Sequence, residues 1–284
     1  LLGLDLDLEG NRASVVAEGI DFRDVDRAGA AQKRGTVSAG DPTERALVEL
    51  DALLGGLPAG RRGLPLAITV GRLNRVKGMA TLVEAWHGDA DLRGRCNLLV
   101  VGGDLDHPSS DEAAELARVD AVVPRAAAAV QGLLLPGHRP HATVATWLAA
   151  SLRGRPGLAA PAGVYVSASL KEEFGLAILE AMAASLVVVA PDGGGPATYV
   201  EPDVTGILTD TGSPTALAEA VGRALDMAAS PETAMRQRRA LTTLRERFSI
   251  STMAGALAGV YAVASGLDRA VPGGHQVPSS GAAS

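Results

Sequence analysis

Two stretches of this 284-residue chain bring together residue types that can do chemistry. In Gly71-Arg72-Leu73-Asn74-Arg75-Val76-Lys77-Gly78, two glycines and three cations follow an apolar run and precede a helical pattern. An arginine fork and a lysine point charge there can neutralise a diphosphate leaving group, which gains negative charge as its bond breaks. A solvated basic loop is the plainer alternative. The use of lysine favours chemistry: Lys33, Lys77 and Lys171 are the chain's three lysines against 23 arginines, and the two cations are not interchangeable. The second stretch is Lys171-Glu172-Glu173-Phe174-Gly175-Leu176-Ala177-Ile178-Leu179-Glu180. At about 100° per residue, Glu172 and Glu180 would lie about 80° apart on one continuous helix and could not share a face. A helix that begins near Gly175 instead leaves Glu172 on the preceding loop and Glu180 inside the helix, both able to face one cleft. The N–H groups of Phe174, Gly175 and Leu176 are then free to meet a phosphate, and the carboxylates can accept from vicinal sugar hydroxyls. The alternative is a helix-start charge plus a buried helix carboxylate, and the latter would need a partner.

Other groups carry less. Asp104 and Asp106 form a D-x-D pair that could hold a metal and through it a diphosphate, but the cations already found make a metal redundant. Pro136-Gly137-His138-Arg139-Pro140 is a tight turn whose backbone could approach a flat ring, with His138 as a polar group beside it. Asp192-Gly193-Gly194-Gly195-Pro196 permits close backbone approach to a ligand before a helix opened by proline. The dinucleotide fingerprint G-x-G-x-x-G is absent, which argues against an ordinary NAD-binding dehydrogenase domain.

The elements that must position these groups follow from the hydrophobic pattern. Apolar runs at Leu66–Val70, Asn97–Val101, Gly132–Leu135, Val164–Ser167, Leu186–Ala190 and Gly206–Leu208 alternate with helical segments. Those segments are Met79–Trp86, Asp111–Val119, Ala142–Ala150, Gly175–Ala184, Pro196–Val200 and Pro214–Ala228. This is the pattern of an α/β, doubly wound parallel sheet, in which ligands sit beyond the carboxyl ends of the strands. Residues 1–60 offer a strand-like run at Ala13–Ala17 and a helix near Pro42–Leu54, and read as a lead-in; 61–230 are the sheet domain. Residues 231–270 read as helices broken near Phe248 and Ser249, and 271–284 as a disordered tail rich in Pro, Gly and Ser. A net charge of -6 argues against a nucleic-acid or anionic-membrane partner. The single cysteine, Cys96, suits a reducing, cytoplasmic compartment, and no apolar run is long enough to insert stably in a membrane. The chain starts at Leu1 with no signal-peptide layout, so a fragment of a longer chain is expected.

These motifs in this order resemble the carboxyl-terminal, nucleotide-sugar-binding domain of retaining glycosyltransferases of the GT-B fold, family 4, over roughly Val15 to Tyr261. Within that family the sequence looks most like the sucrose synthase and sucrose-phosphate synthase group. The residues that carry this are Arg72-Leu73-Asn74-Arg75-Val76-Lys77, Asn97-Leu98-Leu99-Val100-Val101-Gly102-Gly103-Asp104 and Gly194-Gly195-Pro196-Ala197. Glu172 and Glu180 match the family's E-x7-E. The resemblance implies that Arg72 and Lys77 hold the donor diphosphate; Gly71 and His138 are further candidate donor-binding residues. It implies further that Glu180 binds the ribose, Glu172 lies near the transferred sugar, and the Phe174, Gly175 and Leu176 backbone meets sugar and phosphate. It implies hexose transfer with retention from a UDP-, ADP- or GDP-hexose to an acceptor the motifs do not name; no metal or other cofactor is expected, since the cations supply the charge a metal would give. The stretch Val15–Asp21 looks like the entry from a first domain that this chain lacks, and the helix after Phe248 like the one returning to it. That first domain binds the acceptor in the family, so a nucleotide-sugar-binding module without turnover of its own is the second reading. Glu173 stands where members often have Gly or Pro, and Thr198 where many have an acid.

Overall fold

The six apolar runs are six strands of one parallel sheet. The structure, a computed structural model, describes residues 16–34 and 40–264. Strands β1 (Leu66–Val70), β2 (Asn97–Val101), β3 (Leu133–Gly137), β4 (Val164–Val166), β5 (Val187–Pro191) and β6 (Gly206–Thr209) lie in the order β3-β2-β1-β4-β5-β6. That is the strand order of the Rossmann-like doubly wound fold. The helices are α1 (Phe22–Arg34), α2 (Pro42–Gly55), α3 (Met79–Gly88), α4 (Ala90–Arg95), α5 (Ser110–Val122), α6 (Ala128–Gln131) and α7 (His141–Arg153). They continue as α8 (Leu176–Ala183), α9 (Pro214–Ala229), α10 (Thr233–Phe248) and α11 (Ile250–Ala264).

Because side chains alternate across a strand, a sheet covered on both faces needs continuous apolar runs. In β2, Leu99 and Val101 join the core under α1, α2, α7, α8 and α10, while Leu98 and Val100 join the core under α3, α4, α5, α6 and α9. In β5, Val188 and Ala190 face the first layer, Val187 and Val189 the second. Trp147 of α7 donates its indole N–H to the Ala46 carbonyl at 2.7 Å, which ties α2 to α7.

Three details depart from the sequence reading. The Pro196–Val200 segment is a short 3-10 turn, Pro196–Thr198, in which Thr198 donates its hydroxyl to the Gly195 carbonyl. The α1 helix has no counterpart in the sequence reading: its apolar stripe is only Phe22, Val25, Ala28 and Ala31 in a charged background. Its Val25 shares the core of the first helix layer with Leu50, Leu54 and Leu57. Of the strand-like run Ala13–Ala17, Val16 and Ala17 are not in a strand and the rest lies outside the described residues, as does the tail from Val271. Ile20 pairs in parallel with Ser249, so the segment entering α1 is fastened to the break between α10 and α11.

Candidate functional site

The strand order reverses between β1 and β4, and the loops that leave these two strands touch there. Asn74 accepts from the Lys77 N–H at 3.0 Å and caps the 3-10 turn Arg75–Lys77. Gly78 then takes a left-handed conformation, φ +65°, to open α3. A Cβ on Gly78 would lie 2.0 Å from the Ala168 carbonyl oxygen, and Leu170 N–H donates to the Val76 carbonyl at 2.8 Å. This contact aims Lys77 across the crevice, where its Nζ meets Glu172 Oε2 at 2.6 Å, with side chains 26% and 13% exposed. Ser169 donates its hydroxyl to the same oxygen at 2.9 Å. Gly78→Ala should therefore cost about 2–4 kcal/mol in stability, from backbone strain plus the clash with Ala168. Calorimetric melting should show a Tm lower by roughly 5–15 °C; an unchanged Tm would mean that the two loops are not locked together.

The acidic loop is held from behind. Cβ atoms built on Gly194 and Gly195 would lie 2.2 Å from Glu172 O and 2.3 Å from Glu173 O, and Gly195 N–H donates to Glu172 O at 3.1 Å. The close approach made by the Asp192–Pro196 run is thus to this loop. Gly175, φ +91°, caps α8, and the Tyr199 hydroxyl donates to Phe174 O at 2.6 Å. Burial, and then the nearby Glu172 carboxylate, push the Tyr199 phenol far up, so it stays a donor. The Phe174 ring packs against Tyr199 and Phe248, with centroids 6.3 and 5.9 Å away. Among the described residues the N–H groups of Phe174, Gly175 and Leu176 have no acceptor, as befits the first turn of a helix.

The sequence-derived residues divide between two adjoining recesses. A cleft of about 730 Å³ is lined by Gly71, Arg72, His138 and Glu180, together with Gly102, Asp104 and His141. A pocket of about 320 Å³ is lined by Lys77, Glu172, Phe174, Gly175 and Leu176. Val70 lines both, so the two meet at the end of β1. Arg72 is exposed on the cleft wall and makes no ion pair among the described residues. Asp104 uses a carboxylate oxygen to accept from the N–H groups of Asp106 and His107, a turn contact that holds its pKa down. Arg139 donates to the carbonyls of Pro136 and His138 and so sets the shape of the turn beside the cleft.

Sequence reasoning missed His141, Ser169 and Tyr165. Glu180 does have the partner that a helix carboxylate needs: His141 Nε2 lies 3.0 Å from Glu180 Oε1, and His141 Nδ1 lies 3.0 Å from Asp24 Oδ2. Burial alone would lower the His141 pKa, but hydrogen bonds to Glu180 and Asp24 outweigh it and raise the value above that of an ordinary imidazole. The available signal for His141 was its place as the first residue of a helix after a strand and turn. Its partner Asp24 sits on the helix the sequence did not betray. Tyr165 points from β4 into the first core, its hydroxyl 3.3 Å from the Val70 carbonyl.

Residues 65–227 match the family described as glycosyl transferases group 1. A sucrose synthase of Acidithiobacillus caldus is 32% identical over 192 residues, 63% of this chain and 23% of that protein. Sucrose synthase 2 of Arabidopsis thaliana is 32% identical over 152 residues, 51% of this chain and 18% of that protein. The chain thus spans about a fifth of the length of these relatives. Among solved structures, the sucrose-phosphate synthase of Thermosynechococcus elongatus superposes with a TM-score of 0.64 at 25% identity, over 91% of this chain and 54% of the other. HepE of Anabaena, in complex with UDP and glucose, has a TM-score of 0.64 at 21% identity, over 89% and 58%. The fold is that of GT-B glycosyltransferase structures, and the chain belongs to the glycosyl transferases group 1 family, with sucrose synthases and a sucrose-phosphate synthase among its relatives.

Proposed function

We propose that this chain is the donor-binding half of a family 4 retaining hexosyltransferase that takes a hexose from a nucleotide diphosphate sugar. The observation that carries it is the meeting of two recesses at Val70, with Arg72 in one and Lys77 in the other, the second also lined by Phe174, Gly175 and Leu176 at the start of α8. When the bond from the sugar C1 to the diphosphate oxygen breaks, its electron pair stays on the diphosphate, and fixed cations and N–H dipoles lower the energy of that charge. Lys77, Arg72 and the Phe174–Leu176 backbone supply them, Glu180 reads the ribose on the cleft side, and Glu172 stands beside the sugar. That the Anabaena protein of the same fold is in complex with UDP and glucose supports a nucleotide sugar as the donor. An acceptor domain outside this chain completes the enzyme, a view supported by the chain's share of its relatives. A cytoplasmic setting belongs to the same reading, as a lone buried thiol suits it; no helix among the described residues is long and apolar enough to cross a membrane.

The test is sugar transfer by the complete protein from UDP-, ADP- or GDP-hexose, with the anomeric configuration of the product read by NMR. Retained configuration is expected; inversion would overturn the mechanism, and no nucleotide binding at all would overturn the site. Transfer should also persist in EDTA, because cations already stand where a metal would act. Loss of activity in EDTA, restored by magnesium or manganese, would reverse this and bring Asp104 and Asp106 forward as ligands.

A further inference from the structure

We propose that His141 is a positioning residue that fixes Glu180 for the ribose hydroxyls of the donor and makes that recognition depend on pH. The proposal rests on the donor-site reading above. Both ring nitrogens of His141 face carboxylate oxygens at 3.0 Å, Glu180 from α8 and Asp24 from α1. Carboxylates only accept, so both contacts are hydrogen bonds only when both nitrogens carry protons. In that state one oxygen of Glu180 is engaged by the imidazolium, and the carboxylate is held in the cleft with its other oxygen able to accept from a ribose hydroxyl. A neutral ring keeps one N–H and turns a lone pair towards the other carboxylate, so one of the two contacts is lost and Glu180 loses its fixed position.

The surrounding charges favour the held state. From α1, Asp24 makes the contact and also pairs with Arg27, while Asp21, itself paired with Arg23, adds a more distant negative field. From α8 comes Glu180. On the turn before α7 stand His138, which lines the same cleft, and Arg139, which is paired with Glu49 of α2. Across the cleft stand Arg72, Asp104, Asp106 and Glu112. The folded-state pKa of His141 is raised, so the ordering is complete below the ordinary imidazole value of 6.5 and fades as pH climbs through the raised value.

The experiment compares calorimetric affinities of a ribonucleoside diphosphate and its 2′-deoxy counterpart, using UDP, ADP and GDP pairs at constant ionic strength from pH 6 to 9. The wild-type protein should prefer the ribose form about tenfold or more at pH 6, the scale of a hydrogen bond to a charged group, and at least about threefold less strongly at pH 9. In His141→Gln the preference should be independent of pH, which sets His141 apart from His138 and from general attraction of phosphate by an imidazolium. In Asp24→Asn the midpoint of the wild-type change should move to lower pH, a readout available even if the glutamine variant does not fold. A constant wild-type preference, a pH dependence that survives in His141→Gln, or an unmoved midpoint in Asp24→Asn overturns the role of His141. No preference for ribose at any pH, in a protein that binds the diphosphate, overturns instead the assignment of Glu180 to the ribose, and the inference falls with it.

Discussion

Replacing Lys77 by alanine is expected to weaken nucleoside diphosphate binding by about 1.5–3 kcal/mol, the scale of a hydrogen bond to a charged group, and to lower sugar transfer further. The second effect arises from where Lys77 sits. Its ammonium is 2.6 Å from Glu172, whose side chain is 13% exposed. Removing the cation takes a contact from the diphosphate and also leaves a nearly buried carboxylate with Ser169 as its remaining hydrogen-bond donor. Such a group is drawn towards solvent and away from the sugar, because burial of an unpaired charge is costly. Arg72→Ala lacks this second effect, since Arg72 is exposed on the cleft wall. Its loss should appear in affinity and transfer alike, at the lower end of the same range. Titration calorimetry with the bare diphosphate, beside transfer rates for both variants, checks this; unchanged affinity in both would remove the diphosphate from this loop.

The parts of this arrangement that are local in sequence were legible, and the parts that depend on packing between distant segments were not. The strands announce themselves because a strand buried on both faces reads as a near-continuous apolar run, as in Leu98–Val101. The start of α8 is marked by Gly175, whose positive φ and contact with Tyr199 admit no side chain. The eight-residue spacing of Glu172 and Glu180 likewise placed one before the helix and one within it. Pairing across the crevice was out of reach: Lys77 and Glu172 are 95 residues apart, and His141 bridges Asp24 and Glu180 over separations of 117 and 39. The triple glycine shows the limit well. Its freedom of backbone was plain, but whether a ligand or another loop fills the space above it depends on where Glu172 runs, which the local sequence does not hold.

The division of labour between the two glutamates is where the candidate site can be tested most sharply. Glu180→Gln keeps the shape of the side chain but replaces one carboxylate oxygen by an NH2 group that only donates. The remaining oxygen can still accept from His141, so the fold should hold, while a ribose hydroxyl that donates to the lost oxygen has no acceptor. Affinity for bare nucleotide and for nucleotide sugar should fall together, by about 1–3 kcal/mol. Glu172→Gln acts on the other recess. It frees Lys77 from its ion pair, so binding of the bare diphosphate should be unchanged or slightly tighter, while the rate of transfer falls because only the sugar side feels the loss. If Glu180 were instead a structural carboxylate serving His141 and α1, its glutamine variant would lower the melting temperature without a selective loss of nucleotide affinity. Measured affinities and melting temperatures for the two variants decide the matter: equal effects on bare nucleotide binding would mean that both carboxylates serve one function, and the two recesses would no longer divide nucleoside from sugar.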